Sequence, residues 1–141
     1  MPGSADGLLV LGVAAAEAGR VREGLALIRE ACDADPADAE AHAQLARWLS
    51  RLHRTDEAIA AARHALSLLP GAAATLDTIG VVFSRAGSHE QAVDCFARAV
   101  ELSPERAGLH FNHAASLKFL GRFAEAEAAY EACVRCDPHF W

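Results

Sequence analysis

The sequence has 141 residues, of which 52% are hydrophobic and 23% are charged, and its formal net charge is −6. This length and hydrophobic content predict a single folded domain with a buried core and argue against a disordered chain. The acidic balance argues against a nucleic-acid partner, since binding to phosphates requires a basic surface. No apolar run reaches the roughly 18 residues of a transmembrane helix, so we expect a cytoplasmic protein with no membrane partner.

Prolines recur along the chain at a constant interval of 34 residues. Each one follows an alanine-rich apolar stretch, such as "ARHALSLLP" or "CFARAVELSP". A fixed period of this length is the signature of a repeat architecture. The four prolines are Pro36, Pro70, Pro104 and Pro138. They predict four repeats within one domain of residues 1–141, at approximately 5–38, 39–72, 73–106 and 107–140.

Each repeat is predicted to form two helices joined by a tight turn. Gly19, Gly87 and Gly121 align at the end of the first helix, and His53 takes this position in the second repeat. A glycine at this point ends a helix and allows the chain to reverse. Small residues that align in the second helix allow the two backbones to approach closely. No segment alternates with the period of a strand, so the predicted fold class is all-α.

The first helix of the first repeat contains "LLVLGV", which is apolar on every side. Its predicted core positions are Leu8, Leu11, Gly12 and Ala15. Leu9 and Val13 then belong to a neighbouring face. Exposed apolar surface of this kind requires cover, so self-association or a partner is expected here.

The aligned positions resemble the tetratricopeptide repeat (TPR), and the third repeat is the best match. The residues of the third repeat that match are Leu76, Ile79, Gly80, Phe83, Ala92, Phe96, Ala99 and Pro104. The resemblance implies a right-handed α-α superhelix, or solenoid, of four helix-turn-helix TPR units, with the first helices lining a concave groove. Family members are typically protein-interaction modules without a catalytic centre. The implied function is therefore a scaffold that binds a peptide or protein segment in this groove.

The same resemblance implies which side chains line the groove. They are Leu9, Val13, Gln44, Arg47, Arg51, Asp77, Val81, Arg85, Phe111, Asn112, Lys118 and Phe119. The cations predict a ligand with acidic groups, and the two phenylalanines predict an apolar anchor. Alternatively, the cations are solvated and pair with Asp77 or Glu40. Asn112 matches an asparagine that hydrogen-bonds the ligand backbone in related repeats, with Gln44 as a possible second.

Two clusters near the end of the chain have the residue types of metal or redox sites. Cys133 and Cys136 form a CxxC that His139 follows, and His110 and His113 are one helical turn apart. A zinc site usually requires a second cysteine pair, and a redox CxxC lies at the start of a helix. The repeat alignment places all four residues at packing positions. We therefore expect core residues, with no metal and no cofactor; a thiol- or metal-responsive protein is the alternative.

No nucleophile, carboxylate pair or phosphate loop stands out, so the sequence does not predict an enzyme. Phe140 and Trp141 stand where a further helix would begin. This predicts either a fragment of a longer chain or a homo-oligomer formed through uncapped ends. The alternative function is an N-terminal regulatory or oligomerising module of a larger enzyme, such as a sulfotransferase or glycosyltransferase.

Overall fold

A computed structural model describes residues 4–140, and all regular secondary structure in this range is α-helical. The helices are α1 (Ala5–Glu17), α2 (Val21–Ala34), α3 (Ala39–Arg51), α4 (Thr55–Ser67), α5 (Ala73–Arg85), α6 (His89–Leu102), α7 (Ala107–Phe119) and α8 (Phe123–Cys136). The all-α fold with two helices in each repeat is thus confirmed. The contacts group the chain into two compact units, Met1–Pro70 (unit 1) and Gly71–Trp141 (unit 2). A single domain of 141 residues stays a prediction.

The turn between the two helices of each repeat requires a left-handed backbone. Gly19, Gly87 and Gly121 have φ angles of 94°, 83° and 76°, and His53 has a φ of 60° at the aligned position. Glycine adopts this conformation without steric cost because it has no Cβ, whereas histidine adopts it with strain. The predicted turn is confirmed in all four repeats.

Hydrogen bonds fix the start of two first helices. The Asp38 carboxylate accepts from the backbone N–H of Glu40 at 3.0 Å and so caps α3. His42 Nε2 donates to the carbonyl oxygen of Pro36 at 3.1 Å, and His110 Nε2 donates to that of Pro104 at 2.7 Å. Each histidine therefore ties its helix to the proline that ends the preceding repeat. The structural role expected for His110 is confirmed, since it is buried and hydrogen-bonded.

Small residues bring the helices of unit 1 close together around larger buried side chains such as Ile28 and Leu49. Where α1 crosses α2, a Cβ added to Gly24 would lie only 2.5 Å from the carbonyl oxygen of Gly12. The helices α3 and α4 meet through Ala58, Ala62 and Ala65, all buried. Small side chains let these helices approach closely, as the alignment predicted.

The core of unit 2 is built around aromatic rings. Phe83 and Phe96 are fully buried. A Cβ on Gly80 would lie 2.6 Å from Cε1 of Phe96, so the glycine leaves room for this ring. A second cluster joins α6, α7 and α8 through Val93, Ala114, Leu117, Ala126 and Ala129.

The buried side of α1 differs from the prediction. Gly12 and Ala15 are buried as expected, but Leu11 is 49% exposed and Leu8 is half-buried. Leu9, which was predicted to face a groove, is only 7% exposed. Leu9 packs inward like the aligned Ala43, whereas Leu11 lies on a side of α1 that no other described helix covers, unlike the buried, aligned Leu45.

Candidate functional site

A groove in unit 1 brings several predicted site residues together. Its cavity of about 450 Å³ lies between α1 and α3. Its lining residues, here called the first groove, are Asp6, Leu9, Val10, Val13, Ala14, Glu17, Glu40 and Gln44. Three residues predicted for the concave groove, Leu9, Val13 and Gln44, are in this lining, although Leu9 is largely buried. The floor is apolar, and three carboxylates surround it.

The two arginines predicted for this groove are already engaged. Arg47 Nη1 donates to Gln44 Oε1 at 3.2 Å and lies 3.6 Å from Glu17 Oε1. The Arg47 and Arg51 guanidinium carbons lie 4.7 and 5.2 Å from the ring centre of Trp48. Each arginine thus lies within the distance of a cation–π contact with one buried indole. The electrostatic preference of the first groove for acidic ligand groups is therefore weaker than the sequence predicted.

Two residues predicted to bind a ligand, Asp77 on α5 and Asn112 on α7, are hydrogen-bonded to each other. Asn112 Nδ2 donates to Asp77 Oδ1 at 2.8 Å. Burial raises the pKa of Asp77, although the Asn112 hydrogen bond and the Arg106 charge lower it in part. This hydrogen bond uses one Nδ2–H of Asn112 and leaves the second Nδ2–H and Oδ1, so the ligand-binding role that the resemblance implied for Asn112 stays a prediction. Of the other two predicted residues on α5, Val81 is half-buried and Arg85 is exposed.

A second cavity, in unit 2, collects exposed aromatic residues. Its lining residues, here called the aromatic cleft, are Ala115, Lys118, Phe119, Phe123 and Tyr130, around about 370 Å³. Phe119 is 73% exposed and Phe123 is 66% exposed. Phe119 stacks on the His89 ring with centroids 4.5 Å apart and an interplanar angle of 2°. The predicted pair Lys118 and Phe119 therefore lies at a real surface cleft.

Phe111, also predicted for the groove, packs below this cleft. Its ring lies 5.9 Å from Tyr130 and 5.5 Å from Phe140, measured between ring centroids. Phe140 therefore folds back onto α7, whereas the sequence predicted that it begins a further helix. Trp141, the other residue of that prediction, lies outside the described residues.

One side of α8 continues the aromatic cleft. A cavity of about 660 Å³ lies along this side. Its lining residues, here called the α8 face, are Lys118, Phe123, Ala126, Glu127, Tyr130, Glu131, Val134 and Arg135. The sequence reasoning missed this face because it considered only the first helix of each repeat. The spacing of Phe123, Ala126, Tyr130 and Val134 is a helical stripe that indicates it.

The two cysteines of the CxxC lie in different environments. Cys133 is buried as expected, and burial raises the pKa of its thiol, which disfavours the reactive thiolate. Cys136 was expected in the core, but it is exposed, and its Sγ donates to the carbonyl oxygen of Pro104 at 3.3 Å. The last turn of α8 points this position outward, as α6 does with the aligned Leu102. Residues 4–140 contain no group of three or more candidate metal ligands.

A family comparison explains the four repeats. The tetratricopeptide repeat model matches residues 9–75 and 78–139, which together span most of the sequence. The chain belongs to the tetratricopeptide repeat family. Within the described part of this TPR chain, no helix is long and apolar enough to cross a membrane.

Individual relatives are much longer than this TPR chain. TPR repeat-containing thioredoxin TTL4 of Arabidopsis thaliana is 39% identical over 61 residues, which are 43% of this chain and 9% of the relative. Protein O-mannosyl-transferase TMTC1 of Homo sapiens is 25% identical over 138 residues, which are 95% of this chain and 16% of the relative. The chain therefore spans less than a fifth of the length of either relative.

The crystal structure of MamA has the same fold as this TPR chain. The two superpose with a TM-score of 0.81 at 19% identity, over 97% of this chain and 80% of MamA. At this identity the likeness establishes the fold alone. Membership of the TPR family supports a protein-interaction scaffold.

Proposed function

We propose that the chain is a non-catalytic scaffold that binds an amphipathic segment of a partner protein in the aromatic cleft. One observation supports this proposal above the others: two phenylalanines, Phe119 and Phe123, are more exposed than buried and lie side by side. Exposed aromatic residues at a concave surface are typical of binding sites, because desolvation of large rings supplies binding energy.

The charge at the cleft favours one kind of ligand. Lys118 is the one charged residue that lines it. A segment with a large apolar side chain and a neighbouring carboxylate would place the apolar group between Phe119 and Phe123 and the carboxylate at Lys118. The acidic ligand groups predicted from the sequence are thus proposed for this cleft and not for the first groove. The first groove has three carboxylates along its lining.

A selected peptide tests this proposal. Helical peptides with one aromatic anchor and varied charges are displayed as a library and selected on the protein, and fluorescence anisotropy measures the affinity of the selected sequence. We expect Phe119→Ala to weaken binding at least about tenfold, as truncation of an aromatic anchor does. The control is Leu102→Ala, an apolar and exposed position on α6 outside the cleft. Equal affinity for the wild type and Phe119→Ala would remove the cleft from the binding surface.

A second candidate function is an interaction module within a larger enzyme. The match to an O-mannosyl-transferase supports it, since it covers 95% of this chain and only 16% of that protein. The test is the complete reading frame: an enzyme domain joined to this chain would support the module. A frame without one would leave the independent scaffold.

Association of copies through the ends of the repeats is a further proposal. Large apolar side chains are exposed on both α1 and α8, and these support it. A cytoplasmic location stays a prediction from the sequence.

A further inference from the structure

We propose that the α8 face of one copy binds α1 of a second copy, so that copies associate head to tail. This inference rests on the proposed association of copies and specifies the two surfaces and their polarity.

Each unit of the structure contains this type of contact. In unit 1, α3 packs on α2, and in unit 2, α7 packs on α6. In both cases the first helix of one repeat covers the second helix of the preceding repeat. The stack of Phe119 on His89 is part of the contact in unit 2. Phe123 occupies in α8 the position that His89 occupies in α6, 34 residues earlier. The helix that fits the α8 face is therefore the first helix of a repeat.

The α8 face is uncovered where α2 is covered. Val134 is exposed on α8, whereas the aligned Cys32 on α2 is buried. Phe123 is exposed, whereas the aligned Val21 is half-buried. Binding of a helix would remove the same positions from water, and burial of apolar area favours such binding.

The helix α1 has the matching surface uncovered. Val10, Leu11 and Ala14 are exposed, with Val10 68% exposed. Their aligned positions in α3 are Gln44, Leu45 and Trp48, and the last two are buried. In α7 they are Asn112, His113 and Ser116, of which Ser116 is buried. Thus α1 exposes the side that a first helix uses in both units.

The charges fit the antiparallel direction of such a contact. Consecutive helices joined by a short loop, such as α6 and α7, run antiparallel. The same direction places Asp6, at the start of α1, near Arg135 at the end of α8. It places Glu17, at the end of α1, near Lys118. Asp6 and Glu17 are the only charged residues of α1.

The α8 face has no net charge, so it does not attract the acidic α1 as a whole. Glu127 and Glu131 balance Lys118 and Arg135 along its lining. The favourable charge pairs therefore lie at the two ends of the contact, and its centre is apolar. Moderate salt should weaken the association without abolishing it.

The two surfaces differ, so the contact is heterologous. Each added copy leaves one α1 and one α8 face free, and growth continues without closure unless a ring forms. We therefore expect a mass that rises steadily with concentration and passes beyond the dimer. Multi-angle light scattering after gel filtration, over a concentration series, measures this mass.

Two single substitutions block one surface each. Leu11→Arg places a charge on α1, and Val134→Arg places one on the α8 face; both side chains are exposed, so folding should survive. Each variant alone should stay monomeric, with association weakened at least about tenfold by the buried, unpaired charge. Mixed together, they should form a dimer and nothing larger, because only one intact pair of surfaces remains. Leu102→Arg, which adds the same charge elsewhere, should associate as the wild type does.

Three results would overturn the inference. The first is a wild type that is monomeric at every concentration. The second is a dimer that either variant forms alone, which indicates a symmetric contact. The third is a mixture that does not dimerise while circular dichroism shows both variants folded. Peptide binding in the aromatic cleft is measured separately, with Val134→Arg. A monomeric wild type that binds the peptide would overturn the inference and leave the proposed scaffold intact.

Discussion

The two units pack the helices of a repeat against each other with different residues at aligned positions. In unit 1 Gly24 lies against the backbone of Gly12, and Gly12 itself faces the buried aliphatic side chain of Ile28. In unit 2 the glycine Gly80 faces a ring, that of Phe96. The spacing of 34 residues is identical in both. The repeat period therefore fixes where the helices start and end, whereas the residue at the aligned position of the second helix decides whether the glycine of the first helix faces an aliphatic or an aromatic side chain.

The largest expected effect is the loss of the buried ring in unit 2. Phe96→Ala should lower the free energy of unfolding by about 3–5 kcal/mol, because it removes a fully buried side chain and leaves a cavity. Urea unfolding followed by circular dichroism measures the change. Phe123→Ala, which truncates an exposed ring, should stay within about 0.5 kcal/mol of the wild type. A loss below about 1 kcal/mol for Phe96→Ala would contradict the aromatic core.

The next effect tests the close contact in unit 1. A Cβ on Gly24 would lie 2.5 Å from Gly12 O and 2.7 Å from Ala16 N, both backbone atoms. Gly24→Ala should therefore destabilise the protein by about 1–3 kcal/mol, despite the better helix propensity of alanine. Thermal and urea unfolding measure it. Gly71→Ala is the control, since its Cβ would meet nothing within 4 Å. A stabilised Gly24→Ala variant would show that α1 and α2 lie further apart.

A smaller effect separates the turns of the two units. Gly87→Ala should cost about 1–2 kcal/mol, because alanine is strained at the positive φ of this turn. His53→Gly, at the aligned turn of unit 1, should have the opposite sign. It should stabilise by up to about 1 kcal/mol, since the histidine is strained there. Differential scanning calorimetry compares the two. A destabilised His53→Gly variant would mean that the histidine side chain makes a compensating contact.

The smallest effect is on the pH dependence of stability. Burial lowers the pKa of His42 in unit 1, and the neighbouring His64 lowers it further, although the Pro36 carbonyl opposes this. Burial, then His110 and Arg122, lowers the pKa of His113 in unit 2. The folded state thus holds both rings neutral, so the unfolded chain binds more protons below about pH 6.5.

The free energy of unfolding should accordingly be largest above neutral pH and fall as the pH decreases through about 6.5 toward the lowered pKa values. Urea unfolding at a series of pH values measures this slope. His113→Gln should reduce this slope because it removes the titrating ring of unit 2. His42→Gln should reduce it because it removes the titrating ring of unit 1. A slope that both variants leave unchanged would assign it to other groups.

The sequence predicted the fold well because its signals are local. The proline interval, the turn glycines and the small residues at Gly24 and Ala92 each act within one repeat, and they defined all eight helices in residues 4–140. The prediction that Leu8 and Leu11 are core residues of α1 was wrong. Apolar residues surround this helix, so the sequence contains no polar side from which to infer that Leu9 is buried and Leu11 exposed.

The site was harder to predict because it depends on pairing between repeats. Asp77 and Asn112 are 35 residues apart, and the sequence did not indicate that they bind one another. Arg47 was predicted to be available to a ligand, but its partner Glu17 is on another helix. Phe123 was missed because it lies on a second helix, whereas the family resemblance directs attention to first helices.

Trp48 in unit 1 lies close to two guanidinium groups, so its fluorescence can report binding nearby. It is the only tryptophan in residues 4–140, and Trp141→Phe would leave it as the single indole of the chain. A ligand that binds Glu17 in the first groove must displace or reorient Arg47, which lies 4.7 Å from the indole centre. The emission of Trp48 should then shift in wavelength or intensity on binding. Occupancy of the first groove would thus be read without any attached dye.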